Sequence, residues 1–160
     1  MNDVAEQMNS VDRGHFATLI GLVIDSADKD AVTGHVDIEA HHTQPVGIVH
    51  GGVYSSIVET LASVGAFLTA YEDGKNAAGI ENHTSFLRSI GAGHRVTAVA
   101  TPIHRGRTMH LWEVNIRDDR DRLVARGTVR LAILDPAPGS AGPTDVVKPA
   151  ADAAEADGGA

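Results

Sequence analysis

A chain of 160 residues, 42% of them hydrophobic, has the size of one globular domain able to bury its own core; with no cysteine it holds no disulfide, thiolate nucleophile or Cys-bound metal. Its formal charge of −8 opposes nonspecific attraction to nucleic acid, although local basic clusters at Arg88 and at His104-Arg105-Gly106-Arg107 can still grip one small polyanion. The opening MNDVAEQMNSVDRGHF lacks a basic stretch followed by an apolar run, and no later stretch is read as the ~20 apolar residues of a membrane span, so the protein is expected in the cytoplasm with neither membrane nor nucleic acid as partner.

Residues 1–13 are polar and aperiodic and are expected to be a flexible segment, followed by one ordered domain over 14–134. Residues 18–24 are apolar with β-branched members, residues 31–38 alternate as a half-buried strand does, and Asp28-Lys29-Asp30 supplies the turn of a hairpin between them. After Gly51-Gly52 comes a proline-free run over 53–71 in which Val53, Ile57, Leu61, Val64 and Leu68 recur at helical spacing, ended by Asp73-Gly74. Strand-like stretches follow at 77–87, 95–103, 109–116 and 122–134, the last after the turn Asp118-Asp119-Arg120-Asp121. Residues 135–160, built of Pro, Ala, Gly and Asp, are expected to form a disordered tail.

One long helix among hairpin strands predicts an α+β domain with the helix packed on one face of an antiparallel sheet. Ala62, Gly65 and Ala66 make that helix small or apolar on nearly every side, which predicts that a partner subunit closes the side the sheet leaves open.

The chemistry concentrates at the start of that helix. Gly51-Gly52 places free backbone N–H groups at a helix N-terminus, where partial positive charge collects, and such donors stabilise a carbonyl oxygen gaining negative charge. An ordinary loop-to-helix turn accounts equally for the two glycines. Glu59 points away from the Ile57/Leu61 stripe and shares its face with Ser55 and Ser63. It reads either as a solvated surface acid or, among small neighbours, as a partly desolvated nucleophile or general base, with Ser63 placed to hold water. His41-His42 does not belong to any convincing ligand set, so no metal is expected. The Gly-x-Ser-x-Gly elbow of serine hydrolases and the Gly-rich dinucleotide and phosphate loops do not occur.

The strings HHTQPVGIVHGGVYSSIVETLASVGAFL, NHTSFLRSI, PIHRGR and LVARGTVRLAIL resemble the hotdog-fold thioesterases of the phenylacetate-pathway type. The similarity is greatest to the branch holding the Arthrobacter-type 4-hydroxybenzoyl-CoA thioesterases and the 1,4-dihydroxy-2-naphthoyl-CoA hydrolases of menaquinone biosynthesis, and it spans about residues 16 to 134. The resemblance implies a hotdog fold, with the long helix wrapped by a curved antiparallel sheet, in a homodimer or homotetramer with active sites at the subunit interface. It implies Glu59 as the catalytic carboxylate, Gly51 as the backbone donor to the thioester oxygen with Gly52 beside it, and Gln44 near the thioester. It further implies His50 shaping the carbonyl-binding loop and Ser63 holding the hydrolytic water. Arg88, Arg107 and Thr108 fall where the family grips coenzyme A; Arg107 stands in place of the serine of the Arthrobacter-type enzymes and adds a charge suited to phosphate. The implied substrate is an acyl-CoA with an aromatic or compact acyl group. No cofactor is implied beyond the coenzyme A of that substrate.

Three other readings stay open: a dihydroxynaphthoyl-CoA hydrolase, a noncatalytic acyl-CoA-binding protein, and a hotdog dehydratase. Gln44, Glu59 and Ser63 together favour hydrolysis over mere binding, and His-Gly-Gly with a downstream Glu favours it over dehydration. Val53, Phe67, Leu68 and Phe86 serve equally as acyl-pocket lining or as core.

Overall fold

The computed structural model describes residues 3–136. Helix α1 (Asp3–Val11) and the short α2 (Phe16–Leu19) lead into strands β1 (Val23–Ala27) and β2 (Val32–Asp37), a 3-10 turn at Ala40–His42, and the long helix α3 (Gly51–Tyr71). Strands β3 (Asn76–Phe86), β4 (Arg95–Arg105), β5 (Met109–Asp118) and β6 (Leu123–Leu134) complete one six-stranded antiparallel sheet in the order β1-β2-β4-β5-β6-β3. This is the hotdog arrangement, an α+β domain in which the sheet packs on α3.

Alternation along β5, and along β6 from Ala125 onward, turns Trp112, Val114, Ile116, Val129 and Leu131 inward, where they share a fully buried core with Ile57, Val58, Leu61, Ala62 and Ala66 of α3. Gly65 lies directly over Trp112, and a β-carbon at that position would overlap the indole ring. The small residues of α3 therefore seat the helix on its own sheet. Ala62, Gly65 and Ala66 thus lie under the chain's own sheet, and Ser55, Glu59 and Ser63 remain half-buried on the flank that the sheet leaves open. By length and composition α3 is also apolar enough to cross a membrane, contrary to the expectation above, and its apolarity reflects packing in the core.

The N-terminal third differs from expectation in two places. Residues 18–24 do not form one strand: α2 ends in a glycine cap, with Gly21 at φ +65° and the amides of Gly21 and Leu22 bonded to Thr18 and Ala17 carbonyls (3.1 and 3.0 Å), and the strand starts only at Val23. Residues 3–11 are helical, with Ala5 and Met8 buried. The side chain of Asn9 acts as a missing strand neighbour for β1, donating to the Ile24 carbonyl and accepting its N–H, both at 2.9 Å. That clip fastens α1 to an otherwise open sheet edge, which polar composition alone could not reveal. The tail expected over 135–160 lies, apart from Asp135 and Pro136, outside the described residues.

Two histidines are buried. His42 accepts the Glu39 N–H on Nδ1 (2.9 Å), and His110 on β5 has no partner for Nδ1. Burial holds both imidazoles below their usual range, reinforced at His42 by His41 and at His110 by Arg105 and His104. A histidine depressed in the folded state leaves stability intact above its unfolded pKa of about 6.5 and erodes it as pH falls toward the folded value, because the unfolded chain takes up the proton first. Denaturant melts between pH 7.5 and 5 are expected to show that loss, and His110→Phe is expected to flatten it; an unchanged slope in the variant would remove His110 as a cause.

Candidate active site

The loop before α3 is built to present its first amides. Gly47, at φ +81°, closes a turn that returns its N–H to the Gln44 carbonyl, and the Gln44 N–H bonds the Ile48 carbonyl, both at 2.8 Å. The His50 N–H is fixed to the carbonyl of buried His42 at 2.9 Å. His50 then caps the helix: its Nδ1 accepts the Gly52 N–H at 2.9 Å, which leaves the proton of a neutral ring on Nε2. Gly52 is thus not an available oxyanion donor, a correction to the paired reading of the two glycines. The Gly51 N–H finds no acceptor among the described residues and stands at the positive end of a 21-residue dipole. A β-carbon there would come within 2.6 Å of the Phe86 ring, so any larger residue requires that exposed ring to move.

Glu59 is held elsewhere, against β3. Its Oε2 accepts from Asn82 Nδ2 at 2.9 Å; the same amide donates to the Ser55 carbonyl at 3.0 Å, and Thr84 Oγ1 donates to Asn82 Oδ1 at 2.6 Å. Oε1 rests over Gly79, where any β-carbon would collide with it, and the β3–β6 register shifts between Gly79 and Glu81. A glycine and a bulge thereby open room on the strand for one carboxylate. Asn82 was not singled out from the sequence; an amide interrupting a strand, where asparagine is disfavoured, was the available signal. Glu59 and Ser63 line one cleft of about 370 Å³ that also includes Phe67.

Gly51 and Glu59 do not meet. Eight residues of one helix separate them by ~12 Å of axial rise, too far for one carbonyl to rest on the Gly51 N–H while its carbon faces the Asn82-bound carboxylate. The basic residues are divided as well. Arg88 sits beside Tyr54 and Phe86 at the Gly51 end, its N–H on the Val124 carbonyl (3.1 Å), whereas Thr108 accepts the Ile133 N–H (3.0 Å) in the β4–β5 turn it shares with Arg107. Val124 and Ile133 are nine residues apart on β6, ~30 Å along the strand. Arg88, Arg107 and Thr108 are all exposed. Tyr54, buried and near Asp118, has its phenol pushed up to about 12 and stays neutral. Among the described residues no group of three or more His, Asp and Glu could hold a metal ion.

A free helix-terminal amide suited to an oxyanion, and a fixed carboxylate in a half-open cleft, are the parts of acyl-transfer chemistry. The family description "Thioesterase superfamily" matches residues 46–125, which contain both. The provisionally named esterase Rv1847 of Mycobacterium tuberculosis is 42% identical over 125 residues, 77% of this chain and 89% of that one. Its structure superimposes with a TM-score of 0.74 over 77% of this chain and 98% of its own, at 41% identity. The proofreading thioesterase EntH of Cronobacter sakazakii is 30% identical over 81% of this chain and 93% of its own length. Thioesterase HI1161 of Haemophilus influenzae superimposes with a TM-score of 0.78 over 84% of this chain and 93% of its own, at 27% identity. Matched in sequence across its helix and sheet and in fold across most of its length, the chain belongs to the thioesterase superfamily and is a thioester hydrolase.

Proposed function

We propose that the protein hydrolyses acyl-CoA thioesters with aromatic or otherwise compact acyl groups, in a homodimer whose two active sites each combine Glu59 of one subunit with the partner's Gly51. The observation that carries this reading is the ~12 Å between Gly51 and Glu59, two halves of one catalytic set that a single helix holds apart. The open edge of β3 supplies the means of joining them. Pairing that edge antiparallel with its copy across a twofold axis sets the Gly51 end of one subunit opposite the far end of the other. The same operation brings the partner's Arg107 and the partner's Thr108 toward Arg88, so that one coenzyme A is gripped from both chains.

In this site the Gly51 N–H receives the thioester oxygen and strengthens its bond as negative charge develops there. Glu59 either takes a proton from a water held at Ser63, which attacks the carbonyl carbon, or attacks that carbon itself to form a mixed anhydride that water then hydrolyses. The carbonyl–sulfur bond breaks, coenzyme A leaves as the thiol after protonation, and the free acid is released. His50 acts through the loop: by occupying the Gly52 amide it fixes the start of α3 and hence the direction of the Gly51 N–H. Gln44, at the base of the same turn, is assigned the contact to the thioester that the family resemblance implies.

A screen of aryl and short alkyl acyl-CoA thioesters with thiol release as readout tests the reading; turnover of other thioesters but of none carrying coenzyme A would overturn the substrate assignment. Arg88→Ala and Arg107→Ala are each expected to raise KM for the best CoA substrate about tenfold with little change in kcat, since a phosphate contact is made equally in ground and transition states. The same substitutions should leave the KM of a truncated pantetheine thioester unchanged. An equal rise with both substrates would show that these arginines do not read the phosphates.

A further inference from the structure

The cleft that holds Glu59 does not end on the long helix or the sheet. Glu59, Ser63 and Phe67 recur every fourth residue, forming a row that runs ~12 Å along α3 from carboxylate through hydroxyl to aromatic ring. Met8 and Val11 of α1 and Ile24 of β1 line the same cleft. The lining thus changes from polar at Glu59 and Ser63 to mostly apolar beyond them, with Asp12 beside Val11 the one acid on the α1 side. The α1 wall is fixed: Met8 is buried, and its neighbour Asn9 is bonded twice to Ile24, which itself lines the cleft.

We propose that α1 is the acyl-selecting wall of the enzyme: the acyl group enters at Glu59, lies along the Ser63–Phe67 row, and ends against Met8 and Val11. The proposal rests on the hydrolase reading above, because Glu59 marks where the thioester carbon sits. The occupant follows from the lining. An acyl body meets thioether, branched alkyl and aromatic side chains there, with the carboxylate of Asp12 at the edge, and the approximate 370 Å³ of space accommodates one ring or a medium alkyl chain. Met8 suits such a wall because its unbranched thioether adapts to the shape placed against it. The helix that carries these residues is tied to the domain chiefly through β1, so changes in its sequence can retune the acyl preference without disturbing Glu59 or Gly51.

Two variants test this in opposite directions, using the full chain with butyryl-, octanoyl- and benzoyl-CoA. Val11 is 47% exposed, so Val11→Trp can insert an indole into the distal cleft without overpacking the core. It is expected to lower kcat/KM for octanoyl-CoA at least tenfold while changing that for butyryl-CoA less than twofold. Met8→Ala, which deepens the same end, is expected to raise the octanoyl-to-butyryl ratio, and a circular-dichroism melt of each variant shows that it is folded. If Val11→Trp is folded and lowers all three substrates by one factor, or none, the wall assignment is overturned while the hydrolase reading stands. If the wild-type protein releases thiol from none of the three, the acyl-CoA reading fails and the proposal falls with it.

Discussion

Glu59→Gln is expected to lower kcat at least ~100-fold, the scale on which enzymes depend on a positioned acid–base or nucleophilic group, with the melting temperature and KM little changed. The substitution is unusually clean at this position. Asn82 donates to Glu59 Oε2 at 2.9 Å, and the side-chain carbonyl of a glutamine accepts the same bond. Helix propensity is nearly equal for the two residues, and the room beside Gly79 is unchanged. What disappears is the negative charge and with it the basicity required to attack or to activate water. No other acid lies between Glu39 and Glu72, so no neighbour on the helix can substitute. Near-wild-type turnover in a folded variant would eliminate Glu59 as the catalytic group.

The parts of this molecule that were legible in sequence are those governed by local periodicity. The helical spacing of Val53, Ile57 and Leu61 and the alternation of residues 95–103 and 109–116 are properties of single segments, and α3, β4 and β5 stand where those patterns put them, with β4 and β5 two residues longer. Less legible were features set by what one segment meets in another. α1 is polar because only Ala5 and Met8 need to be buried, and its anchor is a side-chain amide matched to one residue of β1, a pairing without periodicity. Gly65 read only as one of the small residues that leave α3 apolar on nearly every side, since nothing in α3 itself announces that Trp112, 47 residues later, requires the space. At the site, Glu59 and Gly51 could be picked out individually, but their separation follows from the straightness of the helix, and the neighbours of Glu59 come from a bulge in β3. The division of the cationic residues between the two ends of the sheet likewise depends on strand register.

That division leads to the second large effect, restoration of activity between two inactive proteins. Gly51→Pro removes the backbone donor at the first position of α3, where proline is otherwise well tolerated. The Phe86 ring, 56% exposed, must swing away to admit the new ring, so the variant is best made together with Phe86→Ala, and the Phe86→Ala protein alone serves as the control. Loss of one oxyanion donor is expected to cost about 100- to 1000-fold in kcat. Now let this variant and Glu59→Gln be co-expressed with different tags and the mixed dimer purified. If each site uses Glu59 from one chain and the partner's Gly51, one of the two sites in the mixed dimer carries both lesions and the other carries neither. The mixed dimer is then expected to work at about half the rate of the Phe86→Ala control, and an unsorted random mixture at about a quarter, as twofold symmetry dictates. A site built within one chain behaves differently, because every site in the mixed dimer then carries one lesion and activity stays at the level of the parents. Recovery of turnover measures the geometry directly: it requires that the ~12 Å separating Gly51 from Glu59 on one helix be closed by a second copy of that helix running the other way.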